Sequence, residues 1–137
     1  MKEQDLWTLA EDARNRAYAP YSHFTVGAAL LAASGEIYCG CNIENASFGA
    51  TNCAERTAFF KAVEAGQRQF KAIAIAGGKQ GERSGFCPPC GICRQVMGEF
   101  CTEDFVILLG DGETIKRYTL GQLLPLAFSS NSMEEIL

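Results

Sequence analysis

Short apolar runs of strand length alternate with stretches of helical period along most of this chain, and that alternation limits the fold more than any other feature of the sequence. Leu6, Leu9, Ala10, Ala13 and Ala17 recur at helical spacing, which predicts an amphipathic helix over residues 3–18, stopped by Pro20. Residues 25–33 form an apolar run closed by Ser34-Gly35, and residues 36–42 read as its antiparallel partner across that turn. A second helix is expected over 53–65, ending at Gly66, and a buried strand over 70–76. A third helix over 90–100 has Val96 and Met97 on its inner face. Strands over 105–109 and 114–119 flank Asp111-Gly112, and a short helix covers 121–124. The aromatic stretch 18–24, the polar stretch 42–52 and the Gly- and Pro-rich stretch 77–89 read as loops, and the tail after Pro125 has no clear pattern. Strands separated by helices after residue 50 call for parallel neighbours with helices over the sheet faces. The expected fold is α/β, a three-layer α/β/α arrangement on a mixed sheet, built as one domain over residues 1–137.

The cysteines need a separate explanation. Seven occur, at positions 39, 41, 53, 87, 90, 93 and 101. With 47% hydrophobic residues, 137 residues can bury an ordinary core without disulfide staples. The count is odd, and the opening Met1-Lys2-Glu3-Gln4-Asp5 is polar and lacks a signal peptide's apolar core, so a cytoplasmic location with metal-bound or reduced thiols is expected. No apolar run is long enough for a membrane-spanning helix. Twelve Lys and Arg against sixteen Asp and Glu leave a net charge of −4, which offers nucleic acid no attraction.

Cys53-Ala54-Glu55 opens the second expected helix, and Pro89-Cys90-Gly91-Ile92-Cys93 opens the third. A helix start offers free N–H groups and the positive end of the helix dipole, which favour thiolate. Cys90 and Cys93 share one face of a first turn and Cys53 supplies a third sulfur, so three protein ligands with one open position describe a catalytic zinc site. Two other readings stand beside it. One is a closed structural site of Cys53, Cys87, Cys90 and Cys93, although Pro88-Pro89 holds Cys87 in extended chain ahead of the helix. The other is metal-free buried thiols. His23 is the only histidine and reads as structural or solvated. Glu55 sits where a carboxylate can move protons at the open position, or where an acid simply favours a helix's first turn.

A Cys or His followed by x-Glu and later by Pro-Cys-x-x-Cys resembles the zinc-dependent base deaminases. Ala19-Pro20-Tyr21-Ser22-His23-Phe24-Thr25-Val26-Gly27-Ala28, Asn42-Ile43-Glu44-Asn45-Ala46-Ser47, Pro89-Cys90-Gly91-Ile92-Cys93-Arg94-Gln95 and the end Leu123-Leu124-Pro125-Leu126-Ala127-Phe128 each resemble segments of the cytidine deaminases. The resemblance implies one zinc per subunit on Cys53, Cys90 and Cys93, with Glu55 as the catalytic residue. It also implies hydrolytic deamination of cytidine, and of 2′-deoxycytidine, in pyrimidine salvage. Glu55 would take the water's proton, protonate N3 and pass a proton to the departing amine. Phe24 matches the family's stacking residue, Asn42 and Glu44 its sugar-binding pair, and the backbone of Ala54 a contact to the base. Phe128 resembles a residue that closes a neighbouring subunit's pocket, and Cys53 in place of His marks the small homotetrameric subclass. Phe48 stands where many relatives carry Tyr. Cys39, Cys41 and Cys101 match nothing catalytic and read as packing. A blasticidin-type or other small-substrate zinc aminohydrolase on the same scaffold, and a non-enzymatic zinc-stabilised binding module, are the rival readings.

Charge counting singles out one more residue. Zinc with three thiolates carries a net −1, which raises the pKa of a bound water. Arg56 lies three residues from Cys53, within reach of the sulfurs on the same helical turn, and can draw off that charge. As a bland alternative it is an exposed helix residue or an interface contact.

Overall fold

Among the described residues, nine α-helices and β-strands follow one another where the hydrophobic pattern predicts them. The structure, a computed structural model, describes residues 1–133, so the last four residues of the expected 1–137 domain lie outside the described residues. The elements are α1 (Glu3–Ala13), β1 (Phe24–Ala32), β2 (Ile37–Cys41), α2 (Ala54–Glu64), β3 (Phe70–Lys79), α3 (Gly91–Phe100), β4 (Val106–Gly110), β5 (Ile115–Thr119) and the one-turn α4 (Leu120–Leu123). The tail, which showed no pattern in the sequence, carries a 3₁₀ turn at Ser130–Met133.

The strands form one sheet in the order β2-β1-β3-β4-β5. β1 pairs antiparallel with β2, Ala29 facing Cys39, and β3 pairs parallel with β4, Ile73 facing Ile107. The strands after residue 50 that a helix separates, β3 and β4, are parallel neighbours as the alternation predicts, while β1 lies between β2 and β3 and pairs antiparallel with both. β2 and β3 therefore run in the same direction, and the β2–α2–β3 and β3–α3–β4 crossovers leave the sheet at the same end.

Alternation along the strands separates two cores. Ala28, Leu30, Ile73, Ile75, Ile107 and Leu109 pack under α2 and α3 with Ala58, Phe59, Ala62 and Met97. Ala29, Ala74, Ala76 and Leu108 pack under α1 with Leu6, Trp7 and Ala10. These are the three layers. Trp7, rather than the half-exposed Leu9, anchors α1, and its indole N–H donates to the Ile75 carbonyl at 3.1 Å. Both helical layers sit close because two strand positions lack a side chain. A Cβ on Gly27 would stand 2.0 Å from the Ala10 carbonyl oxygen, and one on Gly40 would stand 2.5 Å from the Ala54 carbonyl oxygen and the Ala58 nitrogen. Gly40 thus lets the first turn of α2 lie directly on β2.

Three boundaries differ from expectation. α1 ends at Ala13 and is followed by a 3₁₀ turn at Arg14–Arg16. The chain then extends because Tyr18 bonds its backbone to Asn42 and Glu44 on the strand-like segment after β2. β3 continues to Lys79, since Gly77 and Gly78 still pair with Val26 and Thr25. Cys53 and Cys90 are not the first helical residues but the N-caps of α2 and α3.

Candidate active site

Because the two crossovers leave the sheet at one end, the starts of α2 and α3 meet there. Neither N-cap side chain caps a backbone N–H of its own helix, so neither sulfur is tied up in capping its helix start. The sulfurs of Cys53, Cys90 and Cys93 lie within 4.8 Å of one another, and those of Cys53 and Cys90 are 3.8 Å apart. Tetrahedral zinc with sulfurs at ~2.3 Å sets them about 3.8 Å apart, so the donor set fits zinc in spacing and chemistry. Among the described residues no other group of three metal-ligating side chains closes in this way. Cys87 lines the same cavity but stands outside this cluster, so the closed four-sulfur site is not assembled. Its thiol, which burial pushes up to about 11, is held neutral against Gly77.

A small cavity of about 150 Å³ opens beside the sulfurs, lined by Val26, Asn42, Cys53, Ala54, Glu55, Cys87, Pro88 and Cys90. Glu55, in the first turn of α2, is only 5% exposed. Burial pushes its carboxyl up to about 7, with the charge of Cys53 acting in the same direction and the residue's own backbone N–H and Arg56 opposing. A group that titrates near neutrality is suited to both taking and giving a proton. The α2 dipole would lower this value, and burial outweighs it here.

Arg56 points back along the turn and donates from Nη2 to the Cys53 sulfur at 3.1 Å. Its Nε is buried without a partner. Thiol contact from Cys93, then the guanidinium, holds the Cys53 thiol below its ordinary range, while contact with Cys53 and burial push the Cys93 thiol up. The guanidinium is itself held charged by Cys53 and then by Cys93. Arg56 is therefore neither an exposed helix residue nor free of the sulfurs.

The remaining sequence candidates divide. Ala54, at the start of α2, lines the cavity and is buried. Asn42 also lines it, and its amide bridges to β1: Oδ1 accepts from the Val26 N–H at 2.8 Å and Nδ2 donates to the Phe24 carbonyl at 2.8 Å. One amide hydrogen and one oxygen lone pair stay free. Glu44 lines a separate opening of about 440 Å³ with Tyr21, Ser22, Phe48 and Thr51. Its Oε1 accepts from the backbone N–H groups of Tyr21 (2.9 Å) and Ser22 (3.1 Å), and its Oε2 accepts from the Ser22 hydroxyl. The Ser22 hydroxyl holds its carboxyl below the usual range, against slight burial. A carboxylate offers about four acceptor positions, so roughly one remains. Phe24 begins β1 and is 39% exposed. Phe128 is exposed, is tied by its carbonyl to the Gln95 amide at 2.9 Å, and does not line this chain's own cavity. His23, the lone histidine, occupies the left-handed region at φ 56°, where its carbonyl accepts from the Gln80 N–H and turns the chain into β1. Cys39 packs against the α1 core and Cys101 against the α2–α3 core, as packing roles require, and Cys41 is half-buried on β2.

Cys87, a candidate fourth ligand in the sequence, is instead a cavity wall. Arg14, to which the sequence pattern assigns no role, is a buried hydrogen-bonding hub.

Residues 1–109 match a family described as the cytidine and deoxycytidylate deaminase zinc-binding region. The chain belongs to this family. It is 50% identical over 137 residues to a cytidine deaminase of Sporosarcina psychrophila, covering 97% of this chain and 96% of that one. The crystal structure of cytidine deaminase from Burkholderia pseudomallei superposes with a TM-score of 0.86 at 46% identity, covering 93% of this chain and 100% of that one. A blasticidin-S deaminase of Bacillus cereus is more distant, 30% identical over 134 residues, covering 95% of this chain and 94% of that one. The zinc-binding family and the three converging sulfurs agree with each other. No described helix is long and apolar enough to cross a membrane.

Proposed function

We propose that this chain, as a single catalytic domain over residues 1–137, hydrolyses cytidine and 2′-deoxycytidine to uridine and 2′-deoxyuridine with release of ammonia. The observation that carries this reading is the buried Glu55 carboxyl in one small cavity with Cys53 and Cys90, two of the three converged sulfurs. Cys53, Cys90 and Cys93 would hold one zinc per chain. When bound, zinc acts as a Lewis acid that makes water a nucleophile near neutral pH.

The protein's own residues then have separable tasks. The base enters the cavity, with its ring against Phe24 and its edge toward the Ala54 N–H at the start of α2. Asn42 keeps one donor and one acceptor position, and Glu44 one acceptor position, for the sugar hydroxyls. Glu55 removes a proton from the attacking water, places it on N3, and delivers another to the amine as the C4–N bond breaks. Pro88 and Val26 line the walls and restrict bulk water. Arg56 offsets the surplus negative charge of three thiolates. Phe128, exposed and outside the lining of its own cavity, suits closure of a neighbour's site, in keeping with a homotetramer as the working form. Seven unpaired cysteines suit a reducing compartment, so the proposed setting is cytoplasmic pyrimidine salvage.

The direct test is an ultraviolet deamination assay on cytidine, 2′-deoxycytidine, cytosine, cytidine 5′-monophosphate, adenosine and blasticidin S, with and without chelator. Turnover of both cytidines, lost with chelator, is expected. Preference for blasticidin S would favour the second aminohydrolase reading, and zinc without any turnover would favour the binding module. Glu44 at the sugar end repels phosphate, so kcat/KM for cytidine is expected to exceed that for its 5′-monophosphate by about tenfold or more at low salt. Equal values would remove Glu44 from the sugar site.

For Arg56, the expected result is non-additivity. Arg56→Gln lowers kcat and moves the pH optimum upward, and Cys53→His leaves an excess of positive charge beside Arg56. The double variant is expected to recover more activity than the two separate losses allow. Additive losses with zinc still bound would show that Arg56 does not tune the metal.

A further inference from the structure

Arg14 is a buried cation with no part in the chemistry described above. It is 6% exposed and follows directly on α1. Its Nε donates to the Thr25 carbonyl at 3.1 Å and the Thr25 hydroxyl at 3.2 Å. Nη1 donates to the Ser84 hydroxyl at 2.8 Å and the Glu11 carboxylate at 3.1 Å, and Nη2 donates to the Lys79 carbonyl at 3.0 Å. Ser84, also buried, donates in turn to Glu11. The charge is thus neutralised locally by Glu11, and the guanidinium's work is mechanical.

The three segments it joins all bear on the cavity. Thr25 lies between Phe24, the proposed platform for the base, and Val26, which lines the cavity and whose N–H is held by Asn42. Lys79 is the register partner of Phe24 on β3. Ser84 belongs to the loop that folds back through the Gly77–Gly85 bridge and leads to Cys87 and Cys90. The guanidinium lies over Gly78, where a Cβ would come within 3.1 Å of Nη2.

We propose that Arg14 is a positioning residue for substrate binding: it locks the first rung of β1, which carries Phe24, to the end of β3 and to the loop that delivers the α3 ligands. The proposal rests on the reading of Phe24 as the platform for the base. Lysine cannot replace the guanidinium, because a single ammonium cannot span the Thr25 and Lys79 carbonyls and the Ser84 hydroxyl in one plane. A loosened platform weakens ground state and transition state alike, so KM should rise while kcat holds.

The experiment compares wild type, Arg14→Lys, Phe24→Ala and the double variant, each at equal zinc content, by steady-state kinetics on cytidine. Base–aromatic stacking is worth several-fold to about a hundredfold, so Arg14→Lys is expected to raise KM about tenfold with kcat within about twofold. In the Phe24→Ala background the same change should add little. A parallel fall of kcat with the folded fraction, an unchanged KM, or full additivity with Phe24→Ala would overturn the proposal. If Arg14→Lys does not fold, Ser84→Ala keeps the Arg14–Glu11 pair and releases only the loop anchor. A KM rise of about threefold is expected there, and an unchanged KM overturns the proposal equally. Wild type inactive on cytidine would overturn the functional reading and this proposal together, whereas active wild type with an unmoved variant would overturn this proposal alone.

Discussion

Glu55→Gln is expected to abolish turnover while keeping the fold and the zinc. The residue serves several proton transfers in one cycle. A single general acid–base step is typically worth ~10²–10⁴-fold, so the combined loss should reach about 10⁴-fold or more. Glutamine has the same shape and fits the same buried position, and Glu55 lies outside the three-sulfur cluster. Zinc content by elemental analysis should therefore match wild type. Activity within tenfold of wild type would remove Glu55 from the mechanism. The variant should also reveal the cost of keeping a carboxyl there. In the metal-free chain the folded-state value of about 7 exceeds the ordinary 4.5, so the folded state binds more protons than the unfolded state between those values. Stability then falls as pH rises from about 4.5 to 7. Replacing Glu55 with neutral glutamine should raise the metal-free midpoint at pH 8, with the difference shrinking toward pH 4. A variant less stable than wild type at pH 8 would mean that the carboxylate is not penalised by burial.

Removing a sulfur from the cluster should have a comparable effect by another route. Cys53→Ala, Cys90→Ala and Cys93→Ala are each expected to lose bound zinc and with it several kcal/mol of transition-state stabilisation, roughly 10³-fold or more in kcat/KM. Cys87→Ala is the control. Its thiol lines the cavity outside the cluster, so zinc near one equivalent per chain should persist. Zinc that survives loss of Cys53 but not of Cys87 would reassign the ligand set. Chelation and zinc readdition should turn wild-type activity off and on, and should do nothing for Glu55→Gln.

The two outcomes separate parts of the site that were legible in the sequence to different degrees. The sulfurs were legible because their information is local. Cys90 and Cys93 share one turn whatever surrounds them, and Cys53-Ala54-Glu55 announces its place at a helix start. Arg56 was legible for the same reason, since three residues along a helix is a fixed distance. The loop-borne Glu44 was legible as a candidate, but not its bonds to Tyr21 and Ser22, which lie more than twenty residues away.

Residue order by itself determined the helices and strands, because amphipathic period and turn residues act over a few neighbours. It also determined the two cysteine elements at helix starts. The tertiary structure decided that those starts meet. That depends on β1 inserting between β2 and β3, which aligns the two crossovers, and local propensity does not encode which strand lies beside which. It decided as well that Glu55 is buried deeply enough to titrate near 7, since desolvation is set by every layer packed around a group and not by its position along the chain. The role of Arg14 was decided the same way. Apart from Glu11, its acceptors are 11, 65 and 70 residues distant in sequence, and only the closed sheet brings them to one guanidinium.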